Sequence, residues 1–470
     1  LRSREKVTLI TRPRRFGKTT LLSTVENFLD PACAGHPEYF EKLKVWKSEQ
    51  SRKCYGTIPT VSVSFGSCKG MNYAQAVRGM ISGLFNMYEI HNELLKSEIL
   101  DAEDKEAYRS MREKLWHREN NNIEMAIPEL CRLLYKHYGT KPVILLDEYD
   151  TPLLEAYTDG YWDEMIGTCR QMFHSAFKEN NYYSRAIITG VTRVSKNSLF
   201  SDLNNIKVAT VTCDEYSDCF GFTEQEVKDA LMCQSVDQMQ EVKKMYDGFI
   251  FGSHKDIYNP WSICNYLIDG ELLSYWTNTS SNKLVGDIIR KHPMRSKHEI
   301  EQLMAGEVVH KEINENITFQ YLDGDENSLW SLLLAVGYIK ADNVKKITEC
   351  DVSVTNQEGM GMFRSQIREM VKNGDSVYRD FVYALMNHKT ELLSEILTEV
   401  AYTSMSYFDT GKGPAERTPE NFYHGLVLGL LYLCGISTAL SPTGKAEWED
   451  MILPCILSRR IWTRLFWNSR

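Results

Sequence analysis

The sequence predicts an α/β protein whose N-terminal part is a three-layer domain built on a parallel sheet. Strand-like runs alternate with helical segments from residue 1 to about residue 225, as in α/β domains. The run 143–146 has four consecutive apolar residues, which is typical of a strand buried on both faces. A third observation is a β-branched run near the N-terminus that ends in a Pro- and Gly-containing turn.

Five runs are candidates for the strands of this sheet. They are residues 7–11, 59–65, 143–148, 185–191 and a run near 207–212. A long helical insertion separates the second run from the third. Its charge-rich part mixes positive and negative residues at helical spacing, which indicates a solvated helix face.

The first strand candidate leads into a turn with the layout of a phosphate-binding loop, VTLITRPRRFGKTT at residues 7–20. In such a loop the backbone N–H groups and the N-terminus of the next helix face the phosphates of a nucleotide. Lys18 is then the positive charge on the β- and γ-phosphates, and the Thr19 hydroxyl is a ligand of Mg²⁺. The predicted nucleotide-binding residues are Arg14, Arg15, Phe16, Gly17, Lys18, Thr19 and Thr20.

The loop departs from the generic GxxxxGK[ST] pattern at one position. Arg12 stands where that pattern has its first glycine. If the loop needs a positive φ angle there, arginine would be strained. On the loop alone, the alternative of a strand, a basic turn and a helix without a ligand stays open.

Two acids follow the buried run 143–146. A parallel strand that ends in Asp147 and Glu148 carries them to the carboxyl edge of the sheet, where open α/β folds bind ligands. We expect Asp147 to hold Mg²⁺ through its water shell and Glu148 to orient and deprotonate the attacking water. The alternative is a plain solvated loop, but the pairing with the Gly-Lys-Thr turn favours an active site.

A further strand candidate, 185–191, ends near two polar residues. In P-loop ATPases with an extra strand between the two nucleotide motifs, a polar residue at this strand tip senses the γ-phosphate, and Thr189 is the candidate. Arg193 is a candidate arginine finger, acting on the same phosphate or on that of a neighbouring subunit. An ion pair between Arg193 and a surface acid is the alternative.

Six segments together resemble a known family. They are ITRPRRFGKTT, VILLDEYDTPL, ITGVTRVSKNSLFSDLNNI, CFGFTEQEV, YDGFIFG and IYNPWSICNYL, in this order over nearly the whole chain. The set resembles the bacterial AAA-ATPase-like family found ahead of a PD-(D/E)xK nuclease-like domain, in which the RPRRFGK form of the loop is usual. The resemblance implies a P-loop ATPase that uses ATP and Mg²⁺.

The resemblance also implies a domain order. Residues 1–225 are the expected P-loop ATPase domain, 226–350 a mainly helical lid and winged-helix-like connector, and 363–470 the nuclease-like domain. We expect a helix running into a hairpin strand at 330–341 and a break at the polar stretch 351–362.

The end of the chain lacks what the resemblance requires. A nuclease-like domain needs one strand with an Asp and a second with Glu-x-Lys to hold Mg²⁺, and residues 436–470 contain neither. If the third base of each codon is read together with the first two bases of the next codon, Trp467-Asn468 encodes Glu and Met451-Ile452 encodes Asp. We therefore expect a frameshift near 436–441, a nuclease-like domain incomplete from about 436, and no nuclease activity in this chain.

Composition limits the function classes. At 470 residues the chain can form two or three domains, and a net charge of −9 argues against nucleic-acid binding over the whole surface while leaving room for a local basic groove. Twelve cysteines without CxxC spacing predict reduced thiols, no zinc site and a cytoplasmic location. The apolar stretch 425–435 is too short to span a bilayer, so no membrane partner is expected. The chain begins with Leu rather than Met, which leaves the true N-terminus open.

Two functional classes fit these observations. The favoured one is an ATPase that couples hydrolysis to a partner, with DNA or RNA as the candidate partner of the C-terminal half. The alternative is a nucleotide-gated binding module with little turnover. A homo-oligomer is compatible with either class.

Overall fold

The fold is that of a computed structural model, which describes most of the chain up to residue 370. The described residues are 5–194, 199–200, 206–234, 237–277, 283–291, 294–315, 317, 322, 326–345, 349–370, 380–381, 383–384, 387, 389–393 and 395–396. The apolar stretch 425–435 and the proposed frameshift at 436–441 lie outside them.

The chain divides into two compact units. The first comprises Leu1–Lys291 and His310–Glu358, and the second His292–Val309 and Gly359–Arg470. The domain bounds predicted from the sequence stay a prediction.

A five-stranded parallel sheet forms the centre of the first unit. Its strands are β1 (Val7–Thr11), β2 (Thr60–Ser64), β3 (Val143–Asp147), β4 (Arg185–Gly190) and β5 (Ile206–Ala209). Their order is β2-β3-β4-β1-β5, with parallel pairing throughout. The predicted parallel sheet is therefore confirmed, and β4 lies between the strands that carry the two predicted nucleotide motifs.

Seven helices accompany this sheet in the part of the chain that the structure describes. They are α1 (Lys18–Leu29), α2 (Glu49–Arg52), α3 (Tyr73–Ile90), α4 (Ala102–Trp116), α5 (Ala126–Tyr138), α6 (Thr151–Asp159) and α7 (Trp162–Phe173), with a π-helical turn at His174–Glu179 and 3₁₀ turns at Pro37–Tyr39, Lys44–Lys47, Asn92–Lys96 and Ile123–Met125. The predicted helical insertion is α3 to α5. Leu22, Phe28 and Leu29 of α1 pack with Val143 and Leu145 of β3, so the helix after the predicted phosphate-binding turn is anchored on the acid-bearing strand.

The region that follows contains more strand than expected. One three-stranded sheet has the order β6-β8-β7, and a second has the order β10-β11-β9. Their strands are β6 (Phe222–Thr223), β7 (Phe249–Phe251), β8 (His254–Tyr258), β9 (Val309–Glu312), β10 (Ile339–Lys345) and β11 (Glu349–Val354). β6 has two residues and β7 three, which is too few for a period of two to stand out from the sequence. Helical residues still outnumber strand residues among the described residues of 226–350, and the lid and winged-helix-like connector stays a prediction.

Further helices among the described residues are α8 (Glu224–Cys233), α9 (Met239–Tyr246), α10 (Pro260–Asp269), α11 (Lys283–Lys291), α12 (Met294–Met304), α13 (Glu326–Val336) and α14 (Gln357–Met370). The predicted helix and hairpin strand at 330–341 are α13 and β10. The stretch 351–362, expected to be a break, is occupied by the end of β11 and the start of α14. Val352 is fully buried, and the alternation of Cys350, Val352 and Val354 on β11 makes a strand of this polar-looking stretch. Within the described residues, no helix is both long and apolar enough to cross a membrane.

Candidate functional site

The turn between β1 and α1 has the backbone of an anion-binding loop. Gly17 lies at the N-cap of α1 with φ 78°, and no side chain caps the first turn of this 12-residue helix. The N–H groups of that turn have no partner within the helix, and the helix dipole favours negative charge beside them. A phosphate group is the kind of ligand that such a helix start accepts.

Arg12 is a structural anchor of this loop. It is fully buried, and its guanidinium donates hydrogen bonds to the carbonyl oxygens of Thr11 (2.8 Å), Thr210 (2.8 Å), Tyr216 (3.0 Å) and Ala209 (3.3 Å). Arginine is not strained at this position, because the φ angle of Arg12 is not positive. In this loop, Arg15 (φ 66°) and Gly17 have the left-handed conformation instead. The sequence offered no sign of this role, because all but one of these carbonyls lie about 200 residues away.

The Lys18 ammonium is held by its own loop. Its Nζ donates to the carbonyl oxygens of Arg12 (2.9 Å) and Pro13 (2.8 Å), and the residue is 7% exposed. Burial lowers the pKa of Lys18 to about 8, while the nearby carboxylates, Asp147 foremost, act in the opposite direction. A bound phosphate would add negative charge next to this cation and favour its protonated form.

The two predicted nucleotide motifs meet at Asp147. The Thr19 hydroxyl donates to Asp147 Oδ2 (2.5 Å), although the two residues are 128 positions apart. Asp147 Oδ1 accepts from the Thr189 hydroxyl and from the N–H of Glu148 (3.0 Å). Thr189 therefore orients the carboxylate of the neighbouring strand. Hydroxyl and carboxylate oxygens are hard ligands, and a site with only one or two of them fits Mg²⁺, which takes its other ligands from phosphate and water.

Glu148 lies beside this pair in a constrained position. Its φ is 53°, a conformation that a residue other than glycine adopts at a cost, and such residues concentrate at functional sites. The Thr151 hydroxyl donates to its Oε2 (3.2 Å). A Cβ on Gly66 would lie 2.6 Å from the same oxygen, so the glycine in the loop after β2 leaves room for this carboxylate in its present position.

Asp150 is an acid that the sequence analysis left without a role. It is 1% exposed and accepts hydrogen bonds from the N–H groups of Val191 (3.0 Å) and Thr192 (2.7 Å) and from the Thr192 hydroxyl (2.7 Å). Burial raises the pKa of Asp150, and the hydrogen bonds from Thr192 oppose that shift. This carboxyl connects the residues after β3 to those after β4. It therefore stabilises the edge of the sheet at which Asp147 and Glu148 lie.

A cavity of about 580 Å³ opens over the loop and the sheet edge. The described residues that line it are Arg14, Arg15, Gly17, Lys18, Thr19, Thr20, Lys69, Glu148, Thr151, Leu154, Val191, Pro260, Trp261 and Cys264. Four of them are cationic and one is acidic, which suits an anionic ligand with several charges.

Four of the predicted site residues do not line this cavity, namely Asp147, Thr189, Phe16 and Arg193. Asp147 and Thr189 belong to the hydrogen-bonded cluster with Thr19 described above. Phe16 is 1% exposed and packs edge-on against Phe249 and Phe251, with ring centroids 4.7 and 5.1 Å apart, so its side chain belongs to the core. Arg193 is half-buried, and its carbonyl oxygen accepts from the N–H of Ile317 (2.9 Å). Neither side chain lines the cavity, and the role of Arg193 as an arginine finger, on this phosphate or on that of a neighbouring subunit, stays a prediction.

The cavity also has walls that the sequence analysis did not assign. Lys69 comes from the loop after β2, and Pro260, Trp261 and Cys264 come from α10. Asn259 caps α10 through its Oδ1, which accepts from the N–H of Trp261 (2.9 Å). An Asn followed by a Pro is a signal for a helix start that could have located α10, though not its position against the loop.

Asn259 and Trp261 join α10 to the predicted phosphate-binding turn. The Asn259 side-chain amide donates to the Arg14 carbonyl oxygen (3.3 Å), across 245 residues of sequence. The Arg15 guanidinium lies 4.4 Å from the ring centroid of Trp261. Both contacts lie within the first unit. They connect the turn directly to α10.

A curated protein is similar to much of this chain. An uncharacterized protein in the vnfD 5' region of Azotobacter chroococcum mcd 1 is 26% identical over 342 residues, which is 72% of this chain. The alignment spans 58% of the length of that relative.

A family model covers the part of the chain that carries the site. The AAA-ATPase-like model, described as a predicted AAA-ATPase, matches residues 1–200, which contain β1 to β4, the phosphate-binding turn and the Asp147–Glu148 pair. The match and the convergence of the two motifs on one cavity together support the AAA-ATPase-like family for residues 1–200.

Proposed function

We propose that this protein binds ATP with Mg²⁺ and hydrolyses it in the cavity between the phosphate-binding turn and the edge of the parallel sheet. The observation that carries the proposal is the hydrogen bond from Thr19 to Asp147, which joins the two motifs beside Glu148. The cationic lining of the cavity and the family match of residues 1–200 support it.

In this proposal each residue has a separate task. The N–H groups of the first turn of α1 and the Lys18 ammonium bind the β- and γ-phosphates. Thr19 and Asp147 would hold Mg²⁺, which when bound offsets the charge of the phosphate oxygens. Glu148 orients the attacking water and accepts its proton, and Thr189 keeps the Asp147 carboxylate in place.

Steady-state hydrolysis and nucleotide binding by three variants test this assignment. Glu148→Gln removes the base but keeps the shape, so we expect kcat to fall by about 100-fold or more with ATP binding retained. Lys18→Ala should weaken ATP binding itself. Glu41→Gln, an exposed acid outside the cavity, is the control and should leave both quantities unchanged. Equal turnover in Glu148→Gln and the wild type would refute the assignment.

A nucleotide switch with little turnover is the second candidate. It is favoured by the engagement of Lys18 Nζ with two loop carbonyls, since this occupies two of the three ammonium donors and leaves one for a phosphate. Under this reading the wild type binds ATP, and its turnover is as low as that of Glu148→Gln.

For the rest of the chain we propose coupling of the ATPase to DNA or RNA through the C-terminal half, without nuclease activity. The support is the family resemblance and the lack of a Glu-x-Lys sequence in residues 436–470. Mobility shifts of labelled single- and double-stranded DNA over a salt series would test binding, because phosphate contacts weaken steeply as salt rises. Cleavage of plasmid DNA with Mg²⁺ would contradict the absence of nuclease activity.

A further inference from the structure

We propose that Trp261 is the surface on which the base of the bound nucleotide stacks, so that α10 forms the base-binding wall of the cavity. The proposal rests on the nucleotide-binding function proposed above and adds a residue that determines which ligands bind. The ligand class is a nucleoside triphosphate, held by its base as well as by its phosphates.

The exposure pattern of α10 sets Trp261 apart from the core. Ser262, Ile263 and Tyr266 are buried against the first unit, whereas Trp261 and Cys264 lie one helical turn apart on another face and line the cavity. Trp261 remains 37% exposed although indole is the largest apolar side chain. Packing of the helix therefore does not account for the ring at this position.

The sheet order indicates where the base must lie. The reacting phosphate has to be next to Glu148 at the end of β3, while the phosphate-binding turn follows β1. Since β4 lies between these two strands, they are about 10 Å apart. The nucleoside therefore extends away from β3 on the β1 side, where α10 is fastened by the contact of Asn259 with Arg14.

A flat group already stacks on the proposed surface. The Arg15 guanidinium lies 4.4 Å from the centroid of the Trp261 ring. Bases stack on guanidinium planes as readily as on aromatic rings, so a base can join this stack or take the place of the guanidinium. Thr20, at the start of α1, lines the same cavity and leaves the space open with a short side chain.

Binding of two ligands in the presence of Mg²⁺ tests the proposal. The first is the non-hydrolysable ATP analogue AMP-PNP, and the second is inorganic tripolyphosphate, which has phosphates but no base. Loss of one base–aromatic stack weakens binding by about tenfold. We therefore expect Trp261→Ala to raise the Kd of AMP-PNP about tenfold and to leave the Kd of tripolyphosphate unchanged.

Three further variants complete the design. Trp261→Leu keeps apolar bulk without a ring and should match Trp261→Ala, whereas Trp261→Phe should retain most of the affinity for AMP-PNP. Trp116→Ala, which removes an indole that is 65% exposed and outside the cavity, should change neither Kd. Calorimetry on the full chain measures all of them.

The outcomes separate the two proposals. An unchanged ratio of the two Kd values in both Trp261→Ala and Trp261→Leu would overturn base stacking while leaving nucleotide binding intact. Failure of the wild type to bind either ligand would overturn the proposed function and this inference together.

Discussion

At the scale of single residues, this site depends on buried charges that are held by backbone oxygens. Arg12 donates to four carbonyl oxygens and Lys18 to two, and no acid shares these hydrogen bonds. Hydrogen bonds to carbonyl oxygens give the donors of a buried cation their partners but do not neutralise its positive charge. This leaves the Lys18 charge available to a ligand, whereas the Arg12 charge is committed to joining the loop to the residues after β5.

The first prediction concerns Arg12. Arg12→Met keeps much of the volume but leaves the carbonyls of Thr210 and Tyr216 without a donor in a buried place. We expect the free energy of unfolding to fall by about 3 kcal/mol. Denaturant unfolding measures this loss. Arg109→Met, at a half-exposed arginine of α4, should cost less than about 0.5 kcal/mol, and an equal loss in both variants would contradict the anchoring role.

At the scale of elements, close backbone contacts decide how helices sit on the sheet edge. A Cβ on Gly79 of α3 would lie 2.4 Å from the carbonyl oxygen of Ser67, so α3 touches the loop after β2 backbone to backbone. This loop carries both Gly66, beside Glu148, and Lys69, which lines the cavity. The position of α3 therefore supports one wall of the site.

The second prediction compares two glycines within helices. Gly79→Ala should destabilise the protein by about 1–3 kcal/mol, because the added methyl group meets the backbone of the loop. Gly167→Ala in α7 meets nothing within 4 Å and should stabilise by about 0.5–1 kcal/mol, the ordinary gain in helix propensity. Thermal unfolding of the two variants measures both. Changes of the same sign would show that the contact between α3 and the loop is not tight.

The third prediction concerns Glu358, in the first turn of α14. Its fully buried carboxyl accepts hydrogen bonds from the Ser262 hydroxyl (2.8 Å) and from the N–H groups of Tyr275 (2.6 Å) and Trp276 (3.3 Å). Burial raises the pKa of Glu358 to about 7, against the three hydrogen bonds. Glu358 thus links the segment before α11 to α10, one residue from Trp261.

The sign of the pH effect follows from this raised pKa. Between about pH 4.3 and pH 7 the folded protein binds more protons at Glu358 than the unfolded chain does, so stability falls as the pH rises through this window. In Glu358→Gln this part of the pH dependence should disappear, a difference of about 2 kcal/mol between pH 5 and pH 8. Thermal unfolding over this range measures it. Identical pH profiles for the variant and the wild type would disprove the titration of Glu358.

At the scale of the whole molecule, the cavity is formed by segments far apart in sequence but within one unit. Its lining comes from the turn after β1 and the start of α1, the loop after β2, the ends of β3 and β4, α6 and α10. A ligand that contacts all of them stabilises the folded first unit and has no comparable site in the unfolded chain. Ligand binding and stability are therefore linked by mass action.

The fourth prediction uses this linkage. At a concentration of 100 times its Kd, ATP with Mg²⁺ should raise the free energy of unfolding by about 2.7 kcal/mol, seen as a higher melting temperature of the first unit. Lys18→Ala should remove most of the rise at the same concentration. An equal rise in the variant and the wild type would place the nucleotide elsewhere in the protein.

The sequence by itself determined the sheet and the principal residues of the proposed site. β1 and β3 lie within one residue of their predicted bounds, because a parallel strand buried on both faces is a continuous apolar run whose end is visible in the chain. Asp147 and Glu148 follow from the end of β3, and Thr19 from the turn after β1. Parallel strands present their carboxyl ends at one edge, which brings these residues together.

Only the tertiary structure decided which other side chains meet that edge. The anchoring of Arg12, the role of Asp150 and the place of Trp261 depend on contacts between segments tens to hundreds of residues apart, and no local pattern records them. The same holds for Phe16 and Arg193, which stand next to predicted motifs but do not line the cavity. Local periodicity specifies an element and its buried face, whereas the partner of a polar side chain is set by which loops the packing brings together.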